Sequence, residues 1–209
     1  MKYYIFLLSL FVSVLGFSQK SRIDFKSIEK NLKNSESQYN YDKLIFKYKG
    51  IPKSLDSIEA QYLYYGRNFE DNKLTTSDED FKSMAEAFKN NNFEDCIRIG
   101  KILYGKDPTN LDVLLILLRA YDYKKDISNF THHLAQLRLL ADAIKSSGDG
   151  KSEKTAFQVN SVGDEYIFLN ILNLGEGYTK SSKTVKDGII DVWEKENNKI
   201  YIKVLYLDF

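Results

Sequence analysis

Residues 81–103 read FKSMAEAFKNNNFEDCIRIGKIL and residues 115–137 read LILLRAYDYKKDISNFTHHLAQL, and the way these stretches superpose decides the fold. At an offset of 34 residues Phe81 falls on Leu115, Phe93 on Ile127 and Leu103 on Leu137, and this offset is the period of the tetratricopeptide repeat. Each stretch reads as two helices joined by a short polar turn. Ser77 with Asp80 is placed to cap the first, whose apolar stripe is Phe81, Met84, Ala85 and Phe88. Asn90-Asn91-Asn92 turns the chain, Phe93, Ile97, Gly100 and Leu103 line the return helix, and Asp107-Pro108 ends it. The second pair runs through Leu111, Leu114, Leu118 and Tyr121, turns at Lys124-Lys125-Asp126, and continues through Ile127, Phe130, Leu134, Leu137, Ala141 and Ile144. The match to the repeat is partial. Pro108 and Cys96 stand where the first unit wants a proline and a small residue, whereas the second unit has Phe130 and no proline. Helical hairpins of this kind must bury an apolar face on a neighbour, so a short stack is expected.

Working outward, Phe25, Ile28 and Leu32 share one helical face behind Ser21 and Asp24, which are spaced as a cap. The stretch Tyr41 to Tyr48 is ambiguous and stops at Gly50-Ile51-Pro52. Asp56 with Glu59 starts a further helix carrying Ile58, Tyr62, Tyr65 and Phe69. Turn formers gather at Ser146-Ser147-Gly148-Asp149-Gly150-Lys151-Ser152, read as a linker, and beyond them the apolar period falls to two. Ala156 to Val162 and Tyr166 to Leu174 then read as a hairpin across Gly163-Asp164. Ile189 to Glu194 and Ile200 to Leu207 read as a second, across Glu196-Asn197-Asn198-Lys199. The predicted fold is α+β: tetratricopeptide-like helical hairpins over residues 19–147, packed with a small antiparallel sheet over residues 153–209.

Residues 1–18 carry one positive charge, an uninterrupted run of apolar and small residues, and small residues at the end, the order of a secretion signal. The uncharged run from Tyr3 to Ser18 is shorter than the ~20 residues of a membrane span, so cleavage between Ser18 and Gln19 is expected, with no stable membrane span afterwards. Lipid attachment at the cut needs a cysteine there, and the one cysteine is Cys96. Loss of residues 1–18 removes Lys2 and no acid, so basic and acidic residues balance and no bulk attraction to nucleic acid follows. A single cysteine closes no internal disulfide. The expected destination is the periplasm or the medium, as a soluble protein.

The order of Leu63-Tyr64-Tyr65-Gly66-Arg67, then the helical stack, then Val162-Gly163-Asp164-Glu165-Tyr166, Ile190-Asp191-Val192-Trp193 and Ile200-Tyr201-Ile202-Lys203-Val204 resembles a secreted Bacteroidetes family of unknown function. In that family tetratricopeptide-like helices precede a small C-terminal sheet. The resemblance spans nearly the whole chain after the signal and implies a Gram-negative envelope or extracellular location. It implies no reaction, so no catalytic residue is carried over.

The residues by themselves supply no catalytic, metal or cofactor constellation. His132 and His133 are the only histidines, and adjacent helical positions diverge by about 100°, which prevents chelation of one metal. Cys96 reads as a structural thiol between helices. Gly148-Asp149-Gly150-Lys151-Ser152 lacks the first glycine of a phosphate loop and precedes a strand. Asp78-Glu79-Asp80 suits the first turn of a helix. Asp56-Ser57-Ile58 matches a short O-glycosylation acceptor pattern. Four expected strands are too few for an outer-membrane barrel, which needs at least ~8. The aromatic cluster Tyr62, Tyr64 and Tyr65 is the candidate interaction surface, since rings on different helical faces leave some near solvent. The expectation is a non-enzymatic binding or scaffolding protein of the envelope, with an envelope protein, peptide or polymer as partner. The alternative is a secreted hydrolase using Asp, Glu or Tyr residues.

Overall fold

The computed structural model describes residues 23–71, 73–174 and 176–206. The expected signal, the Ser18–Gln19 cut and Ser21 lie outside these. The helices are α1 (Phe25–Leu32), α2 (Tyr41–Gly50), α3 (Ser57–Gly66), α4 (Glu79–Lys89), α5 (Phe93–Lys106), α6 (Leu111–Tyr123), α7 (Ile127–Ser146) and α8 (Val162–Ile171). The strands are β1 (Phe157–Val159), β2 (Thr179–Val185), β3 (Gly188–Lys195) and β4 (Asn198–Leu205).

Local chemistry fixes where the helices start. The side chains of Asp24, Asn40, Asp56, Asn92, Asn110, Asp126 and Ser161 each accept a backbone N–H from the first turn that follows. At α3 the Asp56 carboxylate takes the Ile58 and Glu59 amides, both at 2.8 Å, and Glu59 reaches back to the Asp56 amide at 3.1 Å, completing the expected box. α4 departs from expectation. Asp78, not Ser77, precedes the helix, and its carboxylate turns back to the Thr75 amide at 2.6 Å.

The two hairpin turns share their geometry. Asn91 and Lys125 both take φ 56°, in the left-handed region. The Asn92 amide donates to the Ala87 carbonyl at 2.9 Å, and the Asp126 amide to the Tyr121 carbonyl at 2.9 Å. These pairs stand at the same offset as the sequence repeat and close the C-termini of α4 and α6 with the same six-to-one bond. α4 packs on α5, α5 on α6, and α6 on α7. Gly100 lets them approach closely: a Cβ there would lie 2.6 Å from Met84 Cε and 2.7 Å from Leu117 Cδ2.

The sheet corrects the expectation of an all-antiparallel array. Its order is β1-β4-β3-β2, with β1 parallel to β4, Phe157 opposite Ile202 and Val159 opposite Val204, and the other pairs antiparallel. The hairpin expected across Gly163-Asp164 does not form. Ser161 instead caps α8, and the segment 162–171 coils into a helix that crosses over between β1 and the rest of the sheet. Helices α1, α2, α3, α6, α7 and α8 and strands β1, β3 and β4 share one apolar core, including Leu44, Tyr48, Leu63, Leu114, Ile144, Phe168 and Ile202. A second cluster centred on Met84, Cys96, Leu103, Val113 and Leu117 lies among α4, α5 and α6. The glycine-rich stretch after α7 is no flexible linker. The Asp149 and Gly150 amides both donate to the Thr155 carbonyl, at 2.9 and 2.8 Å, and the Tyr201 amide of β4 donates to the Gly150 carbonyl at 2.9 Å.

Candidate functional site

Helix α3 continues into a 3-10 turn at Arg67–Phe69 and reaches α8 through Tyr64. This contact brings Leu63-Tyr64-Tyr65-Gly66-Arg67 against Val162-Gly163-Asp164-Glu165-Tyr166. The fully buried Tyr64 donates its hydroxyl to Asp164 Oδ2 at 2.6 Å and accepts the Asn160 amide at 3.0 Å. Asn160 returns a bond from Nδ2 to the Tyr64 carbonyl at 2.7 Å, and Asn68 Nδ2 donates to Asn160 Oδ1 at 2.7 Å. Burial, opposed by Arg67 and Tyr64, pushes the Asp164 carboxyl above its ordinary range. Burial and then the charge of Asp164 push the Tyr64 hydroxyl well above its own.

Arg67 is spent on the opposite wall. Its Nε and Nη2 reach Asp107 Oδ2 at 2.8 and 2.7 Å, and Nη2 also donates to the Leu74 carbonyl at 2.8 Å. Asp107 in turn accepts the Leu74 amide at 3.0 Å. Burial alone would weaken the Arg67 charge, but the charge and hydrogen bonds of Asp107 outweigh it and hold the guanidinium protonated. The loop that leaves the 3-10 turn is thereby pinned to the end of α5.

Between these networks opens a cavity of about 450 Å³, whose walls include Leu74, Phe81, Asp112, Asn160, Gly163 and Tyr206. Asp112, in the first turn of α6, differs from the other acids here. It makes no hydrogen bond or ion pair among the described residues. Its carboxylate lies against Gly163, where a Cβ would stand 2.5 Å from Oδ2. Burial first, and the charge of Asp164 second, push its carboxyl up to about 6, with Arg67 opposing.

Asp164 and Glu165, neighbours on α8, serve opposite sides. Glu165 faces the sheet, where Oε1 accepts the Trp193 indole N–H at 2.6 Å and Oε2 pairs with Lys180 Nζ at 2.8 Å. Lys180 also pairs with Asp191 at 2.7 Å and stands 5.3 Å from the centres of both the Trp193 and Tyr166 rings. Burial pushes Glu165 up, offset by Lys180 and Trp193. Its neighbours across this cluster are supplied by Ile190-Asp191-Val192-Trp193. This ion cluster fastens the exposed edge strand β2 to α8.

The expected aromatic surface does not exist as such. Tyr64 and Tyr65 are fully buried, because α3 is enclosed by α1, α2 and α7 rather than packed on one side. Tyr65 Oη donates to the Gln158 carbonyl at 3.0 Å. Tyr62 is half-buried, its ring stacked 4.3 Å from that of Tyr39 and its hydroxyl 2.8 Å from Ser27 Oγ. Cys96 is buried, and burial pushes its thiol up to about 11, away from nucleophilic use. His133 is buried between the rings of Tyr104 and Tyr121, with Nδ1 2.9 Å from the Asn129 carbonyl, while His132 is half-buried. Sequence reasoning missed Asp112, Asn160 and Asp164. The spacing Ser161-x-x-Asp164 was the available signal, since it is a helix-start pattern.

The chain is thus an α+β protein in which a helical stack and a small mixed sheet meet at a polar cavity. Residues 26–209 match the family described as a domain of unknown function, DUF4919, and the chain belongs to that family. No curated protein and no solved structure matches it.

Proposed function

We propose that this is an exported, non-enzymatic binding protein of the Gram-negative envelope, with tetratricopeptide-like hairpins as its frame and the cavity at Asp112 as its ligand site. One observation carries the reading. Asp112 is the carboxylate at the cavity without a partner, while Asp164, Tyr64 and Arg67 are buried and committed to Asn160, Asp107 and one another. A pocket with a rigid, internally satisfied wall and one free polar group suits recognition. Hydrolysis by a carboxylate pair needs two acids free to reach the reacting bond, and here Asp164, at the cavity wall, is buried and holds the Tyr64 hydroxyl. The matched turns at Asn91 and Lys125 support the repeat character of α4 to α7. Residues 1–18 support export to the periplasm or the medium, and partners are then envelope proteins, peptides or polymers.

Nuclear magnetic resonance of the labelled chain against a fragment collection tests the reading. Shifts gathered at Asp112, Gly163 and Asn160 are expected, with no change in the fragments themselves. The hydrolase alternative draws on Asp112, whose carboxyl near pH 6 suits proton transfer. Turnover of ester, amide or glycoside probes that is abolished by Asp112→Asn would replace binding with catalysis. Sequencing the N-terminus of the secreted chain should find Gln19 first, and retention of Met1 in the exported protein would remove the signal assignment.

A further inference from the structure

We infer that the group this cavity takes is an organic cation, a protonated amine seated on Asp112. The inference rests on the binding reading above and adds the chemical class of the ligand. Four features of the site carry it. The Asp112 carboxylate faces the cavity with no donor among the described residues, and Gly163 provides the space in which it stands. The buried cation of the wall is already engaged: Arg67 is held by Asp107 and the Leu74 carbonyl, while the exposed Lys73 donates to the Asn68 carbonyl at 2.7 Å. Asp164 on α8 adds a second acidic group beside Asp112, opposed by Arg67, whose charge is already matched by Asp107. Phe81 and Tyr206 line the same cavity, and aromatic walls suit a cation attached to an alkyl stem.

A carboxylate or phosphate entering here would meet Asp112 directly and gain no free guanidinium in return. A neutral hydroxyl would donate one hydrogen bond but leave the buried charge uncompensated. An ammonium supplies both the donor and the opposite charge that a half-buried carboxylate lacks. Binding of this kind requires Asp112 ionised, so affinity falls as pH drops through about 6. The charged groups that face Asp112 or share its cavity are Asp164 from α8, Arg67 from the 3-10 turn and Lys73 from the loop that follows it.

The test uses probes of matched shape. The full chain is titrated with n-butylammonium, n-butanol, pentanoate and, separately, calcium chloride, following the Asp112 and Gly163 amides. The amine should bind about tenfold or more tightly than the alcohol, and Asp112→Asn should remove that preference while leaving the thermal midpoint near that of the parent at pH 4. Alcohol or pentanoate binding as tightly as the amine overturns the cation assignment and leaves the cavity a binding site. Tighter calcium binding overturns it in favour of a metal. An amine affinity unchanged in Asp112→Asn places the cation elsewhere and also overturns it. Absence of any probe response at these amides removes both the inference and the binding reading.

Discussion

At the scale of single residues the molecule is held by a few buried polar pairs whose loss has calculable signs. Tyr64→Phe leaves Asp164 without its donor and the Asn160 amide without its acceptor, and should cost about 1–3 kcal/mol by urea denaturation. Asp107→Asn leaves the Arg67 guanidinium buried without its counter-charge, and should cost more, about 3–5 kcal/mol. Asp112 behaves in the opposite sense. Its carboxyl titrates near 6 when folded and near ~4 when unfolded, so the folded chain holds the proton more tightly. The stability this contributes is complete below pH ~4 and is lost as pH rises through about 6. Asp112→Asn should therefore match the parent at pH 4 and exceed it by about 1–3 kcal/mol at pH 8, read from urea midpoints at both values. A variant less stable than the parent at pH 8 would show that Asp112 has a native partner.

At the scale of elements, the interfaces are set by where glycine permits approach. Gly100→Ala improves helix propensity by about 1 kcal/mol, yet drives a methyl into Met84 and Leu117. The clash should win, lowering the urea midpoint, and Met84→Ala in the same chain should return part of the loss. The helices of the repeated pairs were legible because their apolar stripes keep helical spacing and their caps are Asn and Asp. α8 was not. Its residues Ile167, Phe168 and Leu169 are all buried, so the segment carries no amphipathic period and its Tyr, Ile and Phe content imitates a strand. β2 was missed for the converse reason. Thr179, Ser181, Ser182 and Thr184 are exposed on a sheet edge, and a strand with little to bury shows no hydrophobic alternation. The face of α3 was misjudged because an enclosed helix buries more than one stripe. Ile58, expected inside, is half exposed, while Tyr64, expected outside, has no exposure. Asp112 itself could not be read as a site residue, since only the contact with Gly163, on an element read as a turn, distinguishes it from an ordinary first-turn acid.

At the scale of the whole molecule, the largest apolar core is shared by α1, α2, α3, α6, α7, α8 and the sheet, and α6 also belongs to the second cluster, so the helical and strand portions are not separable bodies of packing. Unfolding followed by Trp193 fluorescence should coincide with loss of helix by far-ultraviolet circular dichroism in one transition. Two separated transitions would mean that the cluster among α4, α5 and α6 melts on its own.

The place of β4 between β1 and β3 also has a bearing on biogenesis. A nascent chain makes β1 and α8 first and the β2–β3 hairpin next, yet β1 gains a sheet neighbour only when residues 198–205 arrive. Until then Phe157, Val159 and Phe168 lack the cover that Ile202 and Val204 supply, and apolar surface of this kind is prone to aggregation while it stays open. β4 is thus the latch of the sheet: β1 cannot be joined to the β2–β3 hairpin until residues 198–205 lie between them.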